Sequence, residues 1–203
     1  MRFGVLVAGT AALMLSGCLG QGDLERQSTV VSAPPGVALP LPARTMLYMA
    51  PRDLDRPLII EATLHRNEET KTPDGRTLEK AAKAVLSQAF AQVETNQTTI
   101  RPQLVIKVMG TPQFSRRDNL MKIGCGLDVF QADGSMLGSF VARFNTKNPV
   151  DYGDALEPAY KLCLKSATDQ MLASPAVIRA AKAGGEPHPA GYKSFIESLG
   201  LRP

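Results

Sequence analysis

Apolar and polar positions alternate along this chain with two different periods, and the changes of period divide it into elements. Residues 45–49 and 58–65 read as strands, with Pro51 and Pro57 marking the break between them. In the second, Leu58, Ile60, Ala62 and Leu64 fall on one side, and Ile59, Glu61, Thr63 and His65 on the other. A polar turn containing Pro73-Asp74-Gly75 follows. The period then becomes helical. Leu78, Ala81, Ala82, Val85, Leu86, Ala89, Phe90 and Val93 share one face, and Glu79, Lys80, Lys83, Ser87 and Gln88 the other. Residues 104–109 return to strong β-formers and end before Pro112.

Residues 120–131 and 136–145 flank Asp133-Gly134, a dipeptide suited to a type I′ hairpin turn. Closing on that two-residue loop pairs Leu127 with Phe140, Cys125 with Ala142 and Ile123 with Phe144 on one face. Asp128–Ser139, Gly124–Arg143 and Lys122–Asn145 then lie on the opposite face. A slip of one residue would scramble this division between apolar and polar pairs, so turn and side chains specify the same register. A second helix is expected over residues 154–173, with Leu156, Ala159, Tyr160, Cys163, Leu164, Ala167 and Met171 on one face and Pro158 in its first turns. Ser174-Pro175 interrupts it. The order ββαβββα predicts an α+β fold: a two-layer sandwich, its antiparallel-rich sheet carrying two helices on one face.

The first apolar run is too short to span a bilayer. Arg2 precedes about a dozen apolar residues, whereas roughly 20 are needed to cross. The run closes on Leu15-Ser16-Gly17-Cys18, which resembles the lipobox of bacterial lipoproteins. That resemblance implies a signal peptide over residues 1–17, cleavage before Cys18, and acyl chains on its thiol and new amine. Each buried methylene contributes roughly 0.8 kcal/mol, so two or three chains on one residue anchor firmly where one would not. Leu19, in place of the aspartate that favours inner-membrane retention, implies sorting to the periplasmic face of the outer membrane. Residues 18–43 show no periodicity and contain Pro34, Pro35, Pro40 and Pro42, the pattern of a flexible tether. An alternative places Val30-Val31 and residues 37–41 along the domain as an edge segment. The periplasmic domain is expected over 44–175, and 176–203 as a tail with a short helix.

Export changes the reading of the other two cysteines. Cys125 lies on the apolar face of its strand and Cys163 on the apolar face of the last long helix, faces that meet in a two-layer sandwich. In an oxidising compartment a Cys125–Cys163 disulfide is expected, contributing roughly 3–4 kcal/mol in the chain-entropy model. The alternative is two buried small side chains with sulfurs out of reach.

At 203 residues the chain fits one domain with appendages, and aromatics at 5% with no Trp make its core aliphatic. The net charge of +4 has no basic cluster beyond Arg116-Arg117, which argues against a nucleic-acid groove. Two histidines, His65 and His188, with no H-x-x-x-H or C-x-x-C spacing, argue against a metal site. No nucleophile elbow, phosphate loop or cofactor motif occurs. Asp53, Asp55 and Glu68-Glu69 offer a carboxylate set for an envelope hydrolase, against a plainer reading as solvated loop charges. Phe114, Arg116 and Arg117 join an aromatic to two cations in a loop, and Lys122 with Arg143 sits on the polar face of the hairpin. These five are the candidate partner-binding residues. In the tail, Tyr192, Phe195, Ile196 and Leu199 must pack on the domain, on a partner, or not at all.

Lipobox, tether and core together resemble small outer-membrane lipoproteins of the YajG-like kind. Their layout is matched here by the helix at 78–93, the hairpin at 121–145 around Asp133-Gly134, and the helix at 154–173. The auxiliary lipoproteins of lipid-transporting ABC systems and the lipoprotein plug of the lipopolysaccharide translocon are similar in layout. The resemblance implies a non-enzymatic binding or assembly component of the envelope, with an envelope protein as partner and no cofactor. A lipid carrier would instead need an apolar cavity between sheet and helices.

Overall fold

The computed structural model describes residues 27–61, 69–99, 101–115, 120–147, 152–183 and 191–201. Its elements, in chain order, build an α+β sandwich around a five-stranded sheet. Strand β1 (Leu41–Tyr48) begins four residues before the expected start, and Leu41 and Ala43, read as tether, lie in the core. Upstream of it the chain is already tied down. The Val31 N–H donates to Gln88 Oε1 at 3.0 Å, and the Ser32 N–H to Asp169 Oδ1 at 2.8 Å. Val31 is buried in the main core, so this stretch lies along the domain without adding a strand.

A single helical turn, α1 (Pro51–Leu54), separates β1 from β2 (Leu58–Glu61). The expected sheet strand at 58–65 is corrected here. β2 pairs with β3 (Glu69–Thr72) in a two-stranded ladder apart from the main sheet, and residues 62–65 lie outside the described residues. Helix α2 (Asp74–Ala89) buries the face read from its spacing, but it stops four residues short of Val93. Phe90 turns from helix to strand in one step, its φ at −129° and ψ at 144°, and opens β4 (Phe90–Thr95). β4 pairs parallel with β1. Phe90 and Val93 continue the helical spacing while also suiting a strand, and the unpaired edge of β1 decides between the two.

The sheet order is β4-β1-β5-β6-β7. β1 is parallel to both β4 and β5 (Leu104–Ser115), while the longer β5–β6–β7 ladders are antiparallel. β5 runs straight through Pro112, where the sequence suggested a stop. β1 pairs only with Leu104 to Lys107, so at Pro112 the far edge of β5 has no strand beside it and the missing N–H breaks no ladder. β6 (Leu120–Gln131) and β7 (Met136–Lys147) reproduce all six expected pairs. The turn itself differs. Gly134 has φ +89°, but Asp133 does not share it, so the loop is not type I′. Gly134 donates to the Gln131 carbonyl, and Asp133 Oδ1 accepts from the Ser135 N–H and hydroxyl. Phe130 therefore faces Met136, one position out of step, and an extra residue at Leu137 restores the register by Val129–Gly138.

Helix α3 (Tyr152–Leu172) buries every residue read onto its apolar face. Cys163 on α3 is bonded to Cys125 on β6, with Cα atoms 6.1 Å apart. Ala142, opposite Cys125, is buried and small enough to let helix and sheet approach. After Ser174, α4 (Pro175–Lys182) sends Val177 and Ala181 into the same core. α5 (Tyr192–Ser198) does the opposite, docking on the other side of the sheet. There Tyr192 and Ile196 join Met46, Tyr48, Val105 and Ala132 in a second, smaller cluster. The two long helices share one face, as expected; the short terminal helix covers one end of the other.

Candidate functional site

Three strands expose a broad surface on the side away from α2 and α3. Alternation along β5, β6 and β7 sends Ile106, Val108, Ile123, Cys125, Leu127 and Ala142 inward. Their neighbours form cross-strand rows facing out: Lys107–Asp128–Ser139, Met109–Gly126–Val141, Thr111–Gly124–Arg143 and Gln113–Lys122–Asn145. Gly124 and Gly126 leave the middle strand without side chains, so the rows form a trough between the ridges of β5 and β7. The polar end, between Thr111, Gln113, Lys122, Gly124, Arg143 and Asn145, encloses about 450 Å³. The apolar end, around Met109, Gly126 and Val141, encloses about 240 Å³. A Cβ on Gly124 would stand 2.6 Å from Thr111 Oγ1, and one on Gly126 3.0 Å from Met109 Cε. Either change crowds the trough. Val141 is 59% exposed, an apolar side chain in the open beside Arg143.

Of the expected partner-binding residues, the structure brings Lys122 and Arg143 together as exposed neighbours on this face, one row apart. Phe114 is corrected: it points to the inner side, partly buried against the main core, because it pairs with the buried Met121. Arg116 and Arg117 lie outside the described residues, as do Cys18, His65, Glu68 and His188.

Charge is handled differently on the two faces. On the helical side most cations have acidic partners: Lys80 and Lys161 both reach Glu157, Lys83 reaches Glu94, and Lys165 pairs with Asp169, while Arg179 and Lys182 on α4 have none among the described residues. The hydrogen bond from Lys161, then that from Lys80, holds the Glu157 carboxyl below the usual range. Among the described residues Lys107, Lys122, Arg143 and Lys147 have no such partner. Asp128 is the acid on this face, and it accepts a 2.6 Å hydrogen bond from Ser139. The surface is thus cationic, flat-floored and apolar at one end.

A second titratable cluster escaped the sequence reading. Asp74, 1% exposed at the start of α2, accepts from Arg56 Nε at 2.8 Å and from the Tyr160 hydroxyl at 2.6 Å. The other arm of Arg56 donates to the Gly110 carbonyl at 2.9 Å. Burial, and then the bond to Asp74, pushes the Tyr160 phenol up. Burial opposes the charge on Arg56, yet its bonds to Asp74 outweigh that and raise it. Both carboxylate oxygens of Asp74 are therefore engaged, and the cluster ties α2, α3 and β5 to the loop before β2. Gly75 belongs to the same knot, since a Cβ there would lie 1.9 Å from the Asp53 carbonyl oxygen. The signal in the sequence was present: Asp74-Gly75 at a helix start, three residues ahead of its first apolar position. It read as a turn because its partners are 18 and 86 residues away.

Asp53 sits half-buried on α1, and Asp55, just after it, is exposed and pairs with Arg76 at 3.1 Å. Among the described residues no group of three or more His, Cys, Asp or Glu could hold a metal ion. No described helix is long and apolar enough to cross a membrane.

No family model matches the chain, and no curated protein matches it. Among solved structures it is similar to the crystal structure of protein XCC0632 from Xanthomonas campestris, described as family-model DUF330. The two share 15% identity over 75% of this chain and 94% of that one, with a TM-score of 0.48.

Proposed function

We propose that this chain is a lipid-anchored lipoprotein of the bacterial envelope, whose domain works by binding and not by catalysis. Acyl chains on Cys18 would hold it at the periplasmic face of the outer membrane, and the outer face of the β5–β7 sheet would take an envelope protein partner. One observation carries the binding half of this reading: among the described residues Lys107, Lys122, Arg143 and Lys147 share one face of the sheet without an ion pair, beside the exposed Val141. Long Lys and Arg side chains normally find solvent or an acid at little energetic consequence. Four of them on one face, with Asp128 beside Lys107 as the acid in those rows, leave a net positive surface around an apolar strip that complements an acidic partner. The Cys125–Cys163 bond supports an oxidising compartment.

Two measurements test the two halves separately. Cells fed a labelled fatty acid are expected to label this chain, and the Cys18→Ser variant to remain unlabelled. A photo-crosslinking residue at position 141 is expected to capture an envelope protein, whereas one at position 83 on α2 captures none. Equal capture from both positions would remove the trough as the recognition surface. If the captured protein belongs to a lipid or lipopolysaccharide transport system, the chain is an auxiliary subunit of it, as its layout suggests.

A further inference from the structure

We infer that the partner completes the sheet, laying an extended segment that alternates acidic and apolar residues along the free edge of β7. The inference rests on the trough side being the recognition surface, and it names which part of the partner arrives and how.

β7 is the last strand in the sheet order and twelve residues long, twice the six of β4 at the opposite edge. Among the described residues no strand lies beyond it. An edge of that length offers a row of backbone donors and acceptors to any strand that can match its side chains. Those side chains specify the match. Outward along β7 stand Val141, Arg143, Asn145 and Lys147, all exposed. Inward, Phe140 and Phe144 are only partly buried where they pack against the core. A strand added here places every second residue beside the outward row and the alternate ones beside the two phenylalanines. Acids spaced four apart would meet Arg143 and Lys147, and apolar residues at the alternate positions would cover Phe140 and Phe144.

The same charges argue against a second copy of this chain. Self-pairing of β7 would bring Arg143 and Lys147 near their own counterparts with no acid on the strand to separate them. Cationic edges commonly prevent self-association, and these cations exclude a cationic strand while admitting an acidic one.

Hydrogen exchange on the full chain tests the inference. The probe is a synthetic peptide as long as β7, alternating glutamate with valine. Its controls are a peptide of the same composition with the glutamates grouped, and one N-methylated at every residue. The alternating peptide is expected to slow exchange of β7 amides, and both controls to leave them unchanged. Arg143→Glu with Lys147→Glu is expected to weaken the alternating peptide about tenfold and to accept its lysine–valine counterpart instead. Unchanged β7 amides up to the solubility limit of the peptide would overturn the inference, as would equal protection by the grouped peptide. Vesicles of anionic phospholipid form a separate arm, and protection of the trough by vesicles alone would assign the cations to a membrane. If edge addition fails while crosslinks from position 141 to an envelope protein persist, the recognition surface stands and only the mode of docking falls.

Discussion

The two sides of the central sheet differ more than any two elements of this domain. On the helical side α2, α3 and α4 bury alanines and leucines almost completely, a disulfide joins helix to strand, and a buried carboxylate answers both an arginine and a tyrosine. On the other side, among the described residues, a seven-residue helix covers one end and β7 leaves Val141, Arg143, Asn145 and Lys147 exposed. The difference assigns roles. Polar groups that are buried and mutually satisfied hold a fold together, because removing one partner leaves the other desolvated and unpaired. Charges that are exposed and unanswered contribute little to stability and remain available to another molecule.

That contrast makes graded predictions for stability, measured by denaturant unfolding. Replacing Cys125 and Cys163 together by alanine removes the staple of the sealed side and is expected to cost about 3–4 kcal/mol. Asp74→Ala should cost about 2–3 kcal/mol, because the Tyr160 hydroxyl is left buried while Arg56, partly exposed, relaxes toward water. If either change were nearly neutral, the helical side would not be the structural one. On the half-covered side, Ile196→Ala is expected to cost about 2 kcal/mol and to speed amide exchange in α5 while leaving α3 protected.

Alkaline pH gives a further comparison. Tyr160 keeps its proton in the folded protein and loses it near pH 10 when unfolded, so the unfolded state binds fewer protons as pH rises. Its contribution is full below pH 10 and declines above it, by about 1.4 kcal/mol at pH 11. Tyr48 and Tyr192, raised chiefly by burial, add to the decline. Tyr160→Phe should make the curve shallower by the Tyr160 share. The smallest effect on stability belongs to the open face. Arg143→Glu is expected to change it by no more than about 0.5 kcal/mol while abolishing the crosslink from position 141. A large loss of stability there would return Arg143 to the structural set.

Local pattern carried much of this fold. The hairpin register was legible because a period-2 side-chain division and a turn dipeptide pointed to one pairing; even the unexpected loop geometry was corrected by a bulge at Leu137. The helices α2 and α3 were legible because their apolar spacing exceeds what a strand could use. Lys122 and Arg143 were placed on one face by the same alternation, and Cys125 opposite Cys163 by the two apolar faces that had to meet. Phe114 was misplaced because it was taken for a loop residue, when Pro112 proved compatible with a continuing edge.

The sequence by itself therefore determined the elements whose signal repeats within a few residues: two amphipathic helices, one long hairpin, and the side of the sheet each paired hairpin residue faces. Tertiary structure alone decided β4, the separate β2–β3 ladder, the Arg56–Asp74–Tyr160 knot and the docking of α5 on the second face. Each of these depends on a partner far along the chain. A strand exists only when an edge is there to pair with, and a buried carboxylate is tolerated only when distant donors converge on it.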